Sequence, residues 1–159
     1  MAINRGKKFE SVVREAFERV PNVSIDRLHD QTTGYKQSSA NICDFIVYKK
    51  PHQYYIECKS VHGNTLPFSN ITDNQWNGLL EKARIDGVYA GILCWWIDKD
   101  VTRYIPIHLL DLLKKDLGAK SIRFDFLHPD AIYIAGKKKR VFFDYDMENF
   151  LWQTLETEE

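Results

Sequence analysis

The chain has 159 residues, 44% hydrophobic and 28% charged, which suits one compact core burying about 70% of the unfolded surface and suggests no second domain. No apolar run approaches the ~20 residues needed to cross a bilayer, and the start, Met1-Ala2-Ile3-Asn4-Arg5-Gly6-Lys7-Lys8, lacks the apolar stretch of a secretory signal, so a soluble, cytoplasmic protein is expected. The formal net charge of zero argues against a nucleic-acid partner, but six of the 22 acidic residues crowd between Asp144 and Glu159, leaving an excess of six positives elsewhere.

Phe9, Val13, Ala16, Phe17 and Val20 recur at helical spacing and predict a first helix over about Asn4 to Val20, ended by Pro21. Val23 to Leu28 reads as a short strand. His29 to Asn41 is polar, with Gly34, Ser38 and Ser39, and is expected to leave the core as a short stalk-like excursion. Two strands follow, about Ile42 to Tyr48 and Gln53 to Lys59, joined by Lys49-Lys50-Pro51-His52. Asp73 to Ile85 is a second helix, with Thr72 ahead of it and Asp86-Gly87 behind. Val88 to Ile97, the most hydrophobic stretch, predicts a central strand, and Thr102 to Ile105 another. Pro106 opens a helix through Leu117 that Gly118 caps. Short strands near Ile122 to Phe126, Ile132 to Ile134 and Val141 to Tyr145 precede a last helix over Met147 to Leu155. The pattern is α/β, one mixed sheet flanked by helices.

Cys43, Cys58 and Cys94 lie in apolar strand-like runs without metal spacing and are expected as reduced core residues. The five histidines are scattered, none near a cysteine at zinc spacing, so no structural zinc is expected. Basic residues cluster at Arg5/Lys7/Lys8, Lys49/Lys50, Lys114/Lys115 and Lys137-Lys138-Lys139-Arg140. Each cluster suits a phosphate track or a solvated turn equally well.

The informative stretch is Asp44-Phe45-Ile46-Val47-Tyr48 followed by Tyr55-Ile56-Glu57-Cys58-Lys59. Side chains two apart share a strand face, so Glu57 and Lys59 project together while Ile56 and Cys58 turn to the core. A four-residue hairpin loop over Lys49 to His52 pairs Tyr48 with Gln53 and, counting back, sets Asp44 across from Glu57 with their Cβ atoms about 5 Å apart. Carboxylates that close repel unless a positive charge lies between them. Mg²⁺ (or Mn²⁺ in its place) takes oxygen ligands and accepts few protein ones, so Asp44 and Glu57 are the candidate metal ligands, with the backbone carbonyl of Cys58 as a further oxygen. Lys59 suits orienting or deprotonating an attacking water. Glu10 is a candidate outer ligand through water. Taken alone the pattern D-x(12)-E-x-K is loose and also describes a surface hairpin with a weak Glu57–Lys59 ion pair. Asp44, however, stands between Cys43 and Phe45 in an otherwise apolar strand, where a charge needs a reason.

Asn4-Arg5-Gly6 with Glu10, Tyr35-Lys36-Gln37-Ser38-Ser39 ahead of Asp44, Glu57-Cys58-Lys59-Ser60, Leu66-Pro67-Phe68-Ser69-Asn70 and Gln75 occur in an order that resembles the RecU-like Holliday junction resolvases of the PD-(D/E)XK nuclease superfamily. The likeness runs from Asn4 to about Tyr104, with a weaker stretch near Leu127 to Tyr133. It implies a restriction-endonuclease-like core, Mg²⁺-dependent cleavage of four-way junction DNA, and a homodimer in which each subunit nicks one of two like strands. Asp44 and Glu57 would then be metal ligands, Lys59 the catalytic lysine, Gln75 the polar residue of the helix beside the site and Glu10 the acid of the first helix. Lys36 to Ser39 would belong to the stalk entering the junction. The family usually has threonines just before the catalytic aspartate, whereas Asn41-Ile42-Cys43 stands here, and the stalk is short.

Read without the resemblance, Thr72-Asp73-Asn74-Gln75 is a capping box; with it, Gln75 belongs to the site. The tryptophans suit the core or a dimer interface, and Tyr35, in a polar loop, is the aromatic best suited to touch DNA, beside Arg5, Lys7 and Lys8. A nuclease of the same fold acting on linear duplex and a non-catalytic DNA-binding module are the alternatives.

Overall fold

The computed structural model describes residues 4–29 and 41–156. The chain forms α1 (Arg5–Glu18), β1 (Ser24–Arg27), β2 (Phe45–Lys49), β3 (His52–Val61), β4 (Thr65–Pro67), α2 (Asp73–Ala83), β5 (Val88–Trp96), β6 (Val101–Pro106), α3 (Ile107–Leu117), β7 (Ser121–Arg123), β8 (Ile132–Tyr133), β9 (Gly136–Lys139), β10 (Phe142–Tyr145) and α4 (Met147–Glu156). None of the described helices is long and apolar enough to cross a membrane.

A six-stranded sheet in the order β1-β2-β3-β5-β6-β8 is the centre of the fold. Only β3 and β5 run parallel, because the crossover between them carries α2, and a parallel return needs such a connection. Alternation along β5 sorts the core into two layers. Leu93 and Trp95 face α1 and α4 with Phe9, Phe17, Phe45, Ile56 and Phe150, while Ile92, Cys94 and Trp96 face α2 and α3 with Trp76, Leu79, Ile105 and Leu110. Three of the four tryptophans are thus core residues, whereas Trp152 on α4 is 60% exposed. All three cysteines are buried and free.

Helix ends follow local chemistry. The Asn4 side chain accepts the N–H of Lys7 at 3.2 Å, capping α1. Gly118 ends α3 at φ 64°, which glycine adopts without penalty. The expected four-residue loop between β2 and β3 is tighter: Lys49 still pairs with His52, leaving Lys50-Pro51 as the turn, and the register is the expected one. The strand expected through Phe126 stops at Arg123 for a physical reason. Arg103, buried in β6, donates to the carbonyls of Phe124 (3.2 Å), Phe126 (2.5 Å) and Ala131 (2.8 Å) and lies 4.1 Å from the centre of the Tyr133 ring. Those carbonyls turn inward to satisfy a buried cation and are lost to a strand ladder. Two pairings were not expected: β4 with β7, and β9 with β10 in a separate two-stranded ribbon.

Candidate active site

The β2–β3 ladder runs from Lys49↔His52 to Phe45↔Ile56, and the N–H of Asp44 donates to the carbonyl of Ile56 at 3.1 Å, extending it by one bond. Asp44 therefore stands opposite Glu57. The Asp44 carbonyl in turn accepts the N–H of Leu28 at 2.8 Å, tying the end of β1 to the same place. An Asp44 carboxylate oxygen accepts the backbone N–H of Cys58 at 2.8 Å, which fixes its rotamer over β3.

Glu57 is only 3% exposed. Its side chain accepts from the Gln75 amide nitrogen at 2.6 Å. Burial raises the Glu57 carboxyl well above the ordinary carboxylate range; a hydrogen bond with Asp44 and the charge of Asp44 raise it further, while the Lys59 ammonium opposes them. In the metal-free chain Glu57 consequently favours its protonated form. Burial, with Glu57 and Asp44 nearby, pushes the Cys43 thiol up to about 12, so it carries no thiolate chemistry at neutral pH.

These groups floor a cleft of about 250 Å³. Glu10 enters from α1, Gln75 from the first turn of α2, and Lys7, Arg27, His29 and Asn41 form the rim. Arg27 pairs with Glu10 at 3.3 Å. Gln75 holds both of its expected places: it completes a capping box with Thr72 and also reaches Glu57. Lys59 is half-buried on the Glu57 face of β3 but does not line the cleft. Arg5, Lys7 and Lys8 are exposed on the first turn of α1; Lys7 reaches the cleft, and Lys8 lines a different groove. Tyr35, Lys36, Gln37, Ser38 and Ser39 lie outside the described residues.

Sequence reasoning missed Arg27, His29 and Asn41. The available signal was their position, flanking the polar segment at the point where β1 meets the residue before β2.

Among the described residues no three His, Cys, Asp or Glu side chains converge as a metal-binding group. The pair Asp44 and Glu57 nevertheless fits Mg²⁺, which takes one or two carboxylates and leaves its other positions to water and phosphate. A buried Glu57 carboxyl with the half-buried Asp44 carboxylate directly across from it is an arrangement that a hard cation would relieve.

No family model matches the chain, and no curated protein matches it. Among solved structures it is similar to Hjc, a Holliday junction resolvase from Archaeoglobus fulgidus, an archaeal hyperthermophile, with a TM-score of 0.54 and 18% identity over 80% of this chain and 95% of that one. The mixed sheet, its flanking helices and this likeness make the fold restriction-endonuclease-like.

Proposed function

We propose that the protein is a divalent-metal-dependent DNA endonuclease that resolves four-way junctions by symmetric nicking. The observation that carries this reading is the convergence of Asp44 and Glu57 from adjacent strands into one cleft, with Gln75 holding Glu57. The fold it shares with a junction resolvase supports the choice of substrate.

In this reading Asp44, Glu57 and the Cys58 carbonyl would hold Mg²⁺ or Mn²⁺, with Glu10 as the candidate outer ligand. A bound divalent cation would supply positive charge for the phosphate and would lower the pKa of water. Gln75 fixes the Glu57 carboxylate through its 2.6 Å contact. Lys59, on the same face of β3 as Glu57 though outside the cleft lining, is the candidate to orient the attacking water and offset charge at the phosphorus. Lys7 and Arg27, at the rim, attract the phosphate backbone. By the RecU-like resemblance, Lys36 to Ser39 would belong to the stalk that enters the junction centre, and two subunits would each cut one of two like strands.

The test is incubation of labelled four-way junction and linear duplex with the protein, in Mg²⁺ and in EDTA. Paired nicks at symmetric positions, in junction alone and only with metal, are expected. Cutting of both substrates would replace the junction reading with a duplex nuclease, and binding without cutting would leave only a DNA-binding module. Asp44→Asn should abolish cleavage while junction binding persists; cleavage at the parental rate would remove the metal assignment.

A further inference from the structure

Helix α1 presents three side-chain stripes at its 3.6-residue period. Phe9, Val13, Ala16 and Phe17 enter the core, and Lys7 and Glu10 face the cleft. Lys8, Val12, Glu15 and Arg19 line a second groove of about 510 Å³ whose other wall is the β9–β10 ribbon. The second groove is therefore separated from the cleft by the width of one helix, about 10 Å or roughly three base-pair steps of duplex.

The ribbon is a fixed feature. Phe142 packs on Trp95 with ring centres 5.5 Å apart, the Tyr145 hydroxyl bonds Thr102 at 2.6 Å, Lys138 pairs with Asp100 at 2.6 Å, and Arg19 pairs with Asp144. An isolated two-stranded ribbon is marginal, so these contacts hold it against α1 and β6. All of β9 is exposed, and its tip turns at Arg140, a non-glycine residue at φ 43°. Asn or Gly serves such a turn better, so the backbone gives no reason for arginine there. Among the described residues, Lys137, which stands across the ribbon from Asp144, makes no ion pair, and neither do Arg140 on the groove wall and Lys8 on the facing wall.

We propose that the β9–β10 ribbon is a second DNA contact: Lys8, Lys137 and Arg140 bind phosphates of the duplex arm that leaves the cleft across the N-terminal turn of α1. The proposal rests on the nuclease reading. Unneutralised cations at two rigid elements, flanking the helix that also lines the cleft, complement a polyanion crossing that helix. The ribbon adds affinity rather than sequence selectivity, because phosphate contacts position the duplex without reading bases.

The test measures junction binding in EDTA across a salt series, for the parent, Lys137→Gln/Arg140→Asn, and Lys49→Gln/Lys50→Gln. Asn tolerates the left-handed conformation at the tip. The third protein loses the same charge at the β2–β3 turn, the far end of those strands from Asp44. Losing two phosphate contacts should flatten the slope of log affinity against log salt by about two and weaken binding at least tenfold at low salt, with an unchanged melting temperature. The turn variant should match the parent. An unchanged slope in the ribbon variant, while the parent binds and cleaves, would overturn the ribbon contact and leave the nuclease reading standing. An equal loss in the turn variant would overturn it as well, by making the effect one of net charge. A parent that binds no DNA would remove both.

Discussion

Gln75 bonds Glu57 through its amide nitrogen at 2.6 Å and the backbone N–H of Thr72 through its amide oxygen at 3.1 Å. One side chain thus closes the first turn of α2 and fixes the more buried carboxyl of the cleft. The two roles separate by substitution. Thr72→Ala removes only the cap, costing about 1 kcal/mol and a melting shift of roughly 2–4 °C, with cleavage of folded protein unchanged. Gln75→Ala should add a ten- to hundredfold loss of cleavage, the usual cost of losing a group that orients a metal ligand. Equal cleavage by the two variants would reduce Gln75 to a cap.

The β2–β3 register was legible because polar Asp44 interrupts an apolar strand and a short turn leaves few ways to pair the flanking residues. The loop is two residues shorter than expected, yet Tyr48 still meets Gln53, since removing one residue from each side of a hairpin loop preserves the register. Arg103 was hidden: Thr102 to Ile105 reads as a strand, and nothing local reveals that three carbonyls from 124 to 131 will surround its cation. Strand β9 was hidden too, because Lys137-Lys138-Lys139 has no apolar alternation and pairs only through β10. Arg27 belongs to the cleft through pairing with β2 rather than through any spacing to Asp44.

Gly78, in the middle of α2, lies against Ile42, two residues before Asp44. A Cβ there would come within 2.2 Å of the Ile42 Cγ2 and 2.7 Å of its Cβ. Replacing an exposed helical glycine by alanine ordinarily gains up to about 1 kcal/mol. Gly78→Ala should instead lower the melting temperature and cut cleavage at least tenfold, by pushing the segment that carries Asp44 off β3. Adding Ile42→Gly should recover part of the cleavage, the coupling expected of neighbours in contact. A stabilised, fully active Gly78→Ala would show that the Ile42 contact does not set the aspartate.

Arg103 predicts a loss confined to stability. Arg103→Leu shortens the side chain by three heavy atoms and strips the donors from three carbonyls. With buried acceptors left unsatisfied, the cost should be on the order of 3 kcal/mol or more, lowering the melting temperature by roughly 6–12 °C. Below the transition, cleavage per folded molecule should equal the parent's, since Arg103 is not among the described residues that line the cleft. A melting curve within 2 °C or so of the parent would mean water replaces the guanidinium without cost.

Glu57 gives the metal-free protein a particular response to pH. Its folded-state pKa is raised above the ordinary glutamate value of 4.5, chiefly by burial, so the folded chain holds a proton that the unfolded chain releases. Below pH 4.5 both states carry it and the full stability is present. As pH rises past 4.5 only the unfolded state gives it up, so folding is progressively disfavoured, by at most ~1.4 kcal/mol per pH unit. In EDTA the parent should therefore lose stability between pH 5 and 9 relative to Glu57→Gln, whose amide has no proton to lose. Mg²⁺ should raise the parent's melting temperature more at pH 8 than at pH 5, because the cation competes with that proton, and should leave Glu57→Gln nearly unmoved. Parallel pH profiles for the two proteins in EDTA would show that Glu57 is already ionised in the folded chain, and its raised carboxyl would have to be abandoned.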